Sequence, residues 1–185
     1  MRARATLALV LSIAGACGSC DEPERSANVG ALTLDVPDDW TAELQQKDPV
    51  EQLALRPPRP TVLCRVVVMR GKGDAPAPAP SDFITQTRRQ FPGGTEHADM
   101  TLDSRIGTIE GKSLRDVEVP EELEELGDDL RLEVYATEHD GAMVGGVIGW
   151  FFYGEEERSK IPDELWPQRL RDDCVDALET LRTAD

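Results

Sequence analysis

Basic residues are scarce in this chain of 185 residues: 20 Lys and Arg stand against 36 Asp and Glu, a formal net charge of -16 at pH 7. That shortage excludes DNA, RNA and anionic lipid surfaces as partners, because each needs cations to neutralise phosphate. Histidine is scarcer still, with only His97 and His139. The chain holds no G-x-S-x-G, H-E-x-x-H, P-loop or G-x-G-x-x-G, and Gly71-Lys72-Gly73 is too short to cradle a phosphate. No apolar run reaches the ~20 residues that a membrane-spanning helix needs. Cysteines are limited to positions 17, 20, 64 and 174. None belongs to a Cys/His cluster with zinc spacing; Cys17-Gly18-Ser19-Cys20 has the spacing but lies in the leader. No cofactor is expected. What is present, 39% hydrophobic and 30% charged residues in the usual length range of one domain, predicts a real core and argues against wholesale disorder.

The first twenty residues begin with Arg2 and Arg4, continue with 12 uncharged, mostly apolar residues from Ala5 to Ala16, and end in small residues before Cys17. This is the pattern of a signal peptide, with an apolar stretch too short to span a bilayer. Ile13-Ala14-Gly15-Ala16-Cys17 resembles the lipobox of bacterial lipoproteins, in which the cysteine thiol accepts diacylglycerol. That resemblance implies a lipid anchor at Cys17, with Cys20 as the rival acceptor and an ordinary secretory signal as the alternative. Cleavage at Cys17 removes Arg2 and Arg4, leaving 18 basic residues and a net charge of -18. An acyl chain, not basic residues, would then hold the protein to a membrane. The division expected is a signal at 1–16, a polar tether at 17–30 and one domain at 31–185. In an oxidising periplasm Cys64, in a strand pattern, and Cys174, in a helical one, are positioned to pair; two separate buried thiols are the alternative.

Within the domain, Leu32 to Val36 alternates as a half-buried strand, Glu51 to Arg56 gives a second strand and Thr61 to Met69 a third, nearly all apolar. Gly71 to Pro80 reads as an extended Pro/Ala linker. Ser81-Asp82 opens a helix to about Phe91, stopped by Pro92-Gly93-Gly94. Strands are expected at Thr101–Ile109, Lys112–Val119, Asp129–Glu138 and Ala142–Tyr153. Asp140-Gly141 marks a tight hairpin, and Gly145, Gly146 and Gly149 suggest a bulge or a close backbone approach. A closing helix is expected at 163–182, its stripe built from Leu165, Leu170, Cys174, Ala177, Leu178 and Leu181. The order strands, helix, strands, helix predicts an α+β fold, an antiparallel sheet with helices packed on its faces. Leu32-Thr33-Leu34-Asp35-Val36-Pro37-Asp38-Asp39-Trp40, with the two helices, resembles the PsbP-like family, which includes the photosystem II extrinsic protein, a Ran-binding import factor and many small bacterial lipoproteins. The resemblance implies an α/β/α sandwich and a non-enzymatic role in binding another protein or assisting assembly. An envelope protein is therefore the expected partner.

Three groups of residues are candidates for chemistry or binding. His97 near Asp99 and His139 near Asp140 would serve a carboxylate- and His-dependent envelope hydrolase, although turn histidines are usually just solvated. Glu121, Glu122, Glu124, Glu125, Asp128 and Asp129 offer oxygen ligands to Ca²⁺ without the EF-hand order, so a solvated acidic loop is the default. Trp150, Phe151, Phe152 and Tyr153 alternate along a strand, so at least one pair lies away from a single core. Cover by a helix or exposure as a binding patch are its two fates, and helices on the sheet favour burial. A small-ligand carrier with a pocket between helix and sheet is a further reading.

Overall fold

The computed structural model describes residues 25–119, 121, 129–151, 153 and 160–184. Among these residues ten strands and two α-helices follow in the order β1 (Ser26–Val29), β2 (Leu32–Asp35), β3 (Thr41–Lys47), β4 (Val50–Arg56), β5 (Val62–Met69), α1 (Pro80–Gln90), β6 (Thr95–Ser104), β7 (Gly107–Val117), β8 (Leu130–His139), β9 (Ala142–Phe151), α2 (Pro167–Glu179) and β10 (Arg182–Thr183), with a 3₁₀ turn at Asp163–Leu165 ahead of α2. Seven strands form one antiparallel sheet in the order β3-β4-β5-β9-β8-β7-β6, and β1, β2 and β10 form a second. The α+β reading holds.

The middle strand, β9, is buried along almost its whole length because both faces of the sheet are covered there. Phe83 of α1 lies on one face with Val134, Met143 and Val147. Leu170, Cys174 and Leu178 of α2 lie on the other with Val66, Ile148 and the small sheet's Leu32 and Leu34. Two adjacent glycines permit this double approach. A Cβ on Gly145 would collide with the Phe83 ring, and one on Gly146 would stand 3.1 Å from Leu178 Cδ1. The strand pairs β5 and β8 in unbroken register, so these glycines mark side chains pressing onto the backbone, not a bulge. Cys64 of β5 and Cys174 of α2 form a disulfide with their Cα atoms 6.1 Å apart, fastening α2 to the sheet as the two patterns predicted.

Several boundaries differ from expectation. Ser26–Val29, expected within the tether, is β1, and it pairs with β2. The all-exposed strand β3 has no apolar alternation and was invisible to periodicity. The expected strand Thr101–Ile109 is divided: Ser104 pairs with Gly107 and the chain reverses through Arg105-Ile106. Gly111, expected to separate strands, lies inside β7, where a Cβ would meet Tyr135 Cδ1 at 2.5 Å; the glycine marks close approach, not an end. Asp140 and Gly141 have φ of 49° and 72°, the left-handed pair that a tight hairpin between β8 and β9 requires. The closing helix is shorter than 163–182, opening at Pro167, whose missing N–H costs nothing in the first turn. Among the described residues, no helix is long and apolar enough to cross a membrane.

Candidate functional site

The two faces of the large sheet are covered unequally. On the α2 side, β1 packs over β3, β4 and β5 while α2 packs over β5, β6 and β9. On the other side α1 rests on β8 and β9, and the β3–β5 half opens into a groove of about 680 Å³. Strand alternation decides what that groove presents. Gln45 stands opposite Gln52 across β3 and β4, and Ala54 opposite Arg65 across β4 and β5. Leu63 continues the β5 row and Thr61 precedes the strand, while Phe91, Leu132 and Phe151 close the end nearer α1. The result is a mixed surface, with amides and guanidinium groups among apolar side chains.

Arg65 is the anomaly in this surface. It interrupts an otherwise apolar strand, and among the described residues no carboxylate pairs with it. Partial burial, followed by the nearby Arg56 charge, lowers its pKa below the ordinary arginine value, although the residue stays exposed. Arg56, by contrast, is neutralised by Glu43, with Nε donating to Oε2 at 2.9 Å. Thr61 is 2% exposed, and its hydroxyl has no hydrogen-bond partner.

A second polar cluster lies under α2. Glu133, 4% exposed in the middle of β8, accepts from Arg171 Nη2 at 2.6 and 2.7 Å and from Nε at 3.2 Å. The Tyr135 hydroxyl donates to Glu133 Oε2 at 2.9 Å, and the Arg171 guanidinium sits 5.6 Å from the Trp150 ring centroid. Burial, then the Glu133 charge, pushes the Tyr135 phenol far above its usual value. Burial opposes the Arg171 charge, but bonds to Asp172 and Glu133 overcome it and raise its pKa. Both carboxylate oxygens are occupied and the phenol holds its proton, so this cluster is a fastener between α2 and β8 and not an acid–base pair.

The sequence candidates do not converge. His97 sits exposed at the bulge between Glu96 and Ala98 on the edge strand β6, not in a loop. His139 ends β8, with Nε2 3.3 Å from Thr183 Oγ1 and 3.4 Å from Asp140 Oδ2. Glu96 pairs with Leu114 and Leu114 with Leu132; His139 lies seven residues further along β8, about 23 Å away. The two histidines therefore cannot share a site. Asp99 is bound to Lys112. Of the acidic stretch, Glu122, Glu124, Glu125 and Asp128 lie outside the described residues, while Asp129 faces Arg131 at 3.3 Å. Among the described residues no three His, Cys, Asp or Glu side chains are grouped to hold a metal.

The aromatic run is divided by the two faces. Trp150 is buried on the α2 side and Phe151 on the α1 side, so these two do not form an exposed patch. Phe152 lies outside the described residues. Tyr153 is half-buried, with its ring centroid 6.1 Å from that of Trp166. Cys17 and Cys20 also lie outside the described residues.

No family model and no curated protein matches the sequence. Solved structures do match it. The cyanobacterial PsbP (CyanoP) of Synechocystis sp. PCC 6803 has a TM-score of 0.50 and 10% identity over 91% of this chain and 98% of that one. This chain has the PsbP-like fold. The Ran-binding protein Mog1p of Saccharomyces cerevisiae has a TM-score of 0.46 and 14% identity, over 84% of this chain and 92% of that one. A Bacteroides thetaiotaomicron VPI-5482 structure has a TM-score of 0.42 and 13% identity over 84% of this chain, which spans 46% of that chain's length. In this PsbP-like domain the groove residues Gln45, Gln52, Thr61 and Arg65 escaped sequence reasoning. The one available signal was the lone arginine inside the apolar run Thr61–Met69, and it marks Arg65 alone.

Proposed function

We propose that this PsbP-like chain is a non-enzymatic protein-binding module of the bacterial cell envelope, docking its partner on the half-face that α1 leaves open. The observation that carries this reading is the unequal cover of the sheet: one face carries α2 and the small sheet, while the other, among the described residues, keeps a wide mixed groove over β3–β5. An open sheet face of apolar and amide side chains suits a protein surface. The division into a signal at 1–16, a tether from Cys17 and a domain to 185 completes the proposal, with β1 joining the domain ahead of Ala31. Cys17 is the proposed lipid acceptor. The Cys64–Cys174 bond supports export, because such bonds persist in oxidising compartments.

A photoreactive residue at position 52, in the native lipidated chain within intact envelopes, tests the docking site. One envelope protein crosslinked in stoichiometric yield from position 52, but not from Asp103 on the far edge strand β6, is the expected result. Equal yields from both positions, or none from position 52, overturn the reading. Cys17→Ser tests the anchor. The chain should remain unprocessed or appear in the soluble fraction, whereas retained lipid would assign the anchor to Cys20.

A further inference from the structure

The groove's chemistry specifies more than a protein. Strands β3, β4 and β5 turn Lys47, Arg56 and Arg65 towards the α1 side, against the single acid Glu43. This face is thus positive on a chain whose net charge is -16. Glu43 is engaged by Arg56, which leaves Arg65 as a cation in the groove without a partner among the described residues. Gln45 and Gln52 stand opposite each other on the same face and line the groove with Arg65. Gln52 faces Val67, two residues along β5 from Arg65, a span of about 7 Å.

We propose, resting on the docking site above, that the groove receives an extended segment of the partner protein carrying one carboxylate side chain. The carboxylate meets Arg65. Leu63, two residues along the same row, faces an apolar side chain of the segment, and the Gln45 and Gln52 amides lie beside its backbone. A peptide fits better than a free amphiphilic acid for two reasons. A single carboxylate meets only Arg65, whereas an extended segment also offers backbone groups to the Gln45 and Gln52 amides. An acyl chain also needs continuous apolar walls, and polar side chains interrupt this groove.

Titration of the full-length protein with acetyl-Glu-Ala-Leu-Ala-amide and with its Gln counterpart tests the proposal, following the Arg65 Nε–H resonance by NMR. The Glu peptide should saturate that shift with a Kd about tenfold below that of the Gln peptide, the scale of one charge-assisted hydrogen bond. Arg65→Gln should abolish the difference, with the shifts of neighbouring amides serving as the readout. Gln52→Leu should weaken both peptides alike while the folded spectrum stays intact. Equal affinity for the two peptides, a shift that never saturates, or tighter binding of decanoate than of the Glu peptide overturns the proposal. Crosslinking from position 52 separates the two levels. A crosslink undiminished by Arg65→Gln leaves the docking surface standing and removes the carboxylate, whereas no crosslink in either chain removes the docking surface itself.

Discussion

At the scale of single residues, two buried polar groups on opposite faces of the sheet behave in opposite ways. Glu133 is fully partnered by Arg171 and Tyr135, so deleting it leaves the Arg171 guanidinium under α2 with Asp172 alone. Glu133→Ala should cost about 3–5 kcal/mol in chemical denaturation, and the pair replacement Glu133→Leu with Arg171→Met much less, because it leaves no orphan charge. Thr61 is the reverse case. Its hydroxyl is buried without a partner, so Thr61→Val should stabilise the free protein by about 1 kcal/mol. A loss of stability in that variant would mean that the hydroxyl is already satisfied. These residues also mark the limits of legibility. Cys64 and Cys174 were readable because each sat on the apolar side of a clear pattern. Glu133 was not, since Leu130-Arg131-Leu132-Glu133 also reads as a strand with one wet face, and only the position of α2 buries it.

At the scale of elements, β9 and α2 carry the most informative sequence. The glycines of β9 looked like weaknesses in a strand, yet they are seats for the helices. Gly145→Ala should displace Phe83 and cost about 1–3 kcal/mol as overpacking. Helix α2 carries a separate electrostatic load. Burial, then the charges of Asp176 and Asp172, raises the Asp173 pKa against the opposing Arg169. A carboxyl whose pKa is raised by folding contributes stability when protonated and loses it as pH rises through the folded value. Asp173→Asn should therefore be more stable than the parent at pH 7, and the gap should close as pH falls to about 4 and below. An unchanged gap across that range would remove the titration argument. Element boundaries were least legible where glycine had two meanings: Gly107 follows a true reversal, whereas Gly111 sits under the Tyr135 ring. Strand β3 was missed because an edge strand with every residue exposed has no apolar phase to detect.

At the scale of the whole molecule, the α+β class and the two helices were legible because each helix needs a sheet to bury its stripe. The groove was not, because it arises from how far α1 extends over the sheet, which no local pattern encodes. The disulfide is the feature that most directly joins these scales. It closes a loop of sequence separation 110 between the interior strand β5 and the last helix, and both sulfurs are buried. Loop closure of that length restricts the unfolded chain by an amount worth about 4–5 kcal/mol. Cys64→Ala with Cys174→Ala should therefore lower unfolding stability by up to that amount. The single variants should lose as much or more, because each also leaves a free thiol in the core. Because the bond constrains α2 and not α1, the loss should be accompanied by faster amide exchange in Pro167–Glu179 than in Pro80–Gln90. Equal acceleration in both helices would mean that the molecule opens as one cooperative unit and that the bond acts only through the unfolded chain. Selective acceleration in α2 would mean that it also holds one layer of the native fold in place, leaving the groove on the opposite face intact when the bond is reduced.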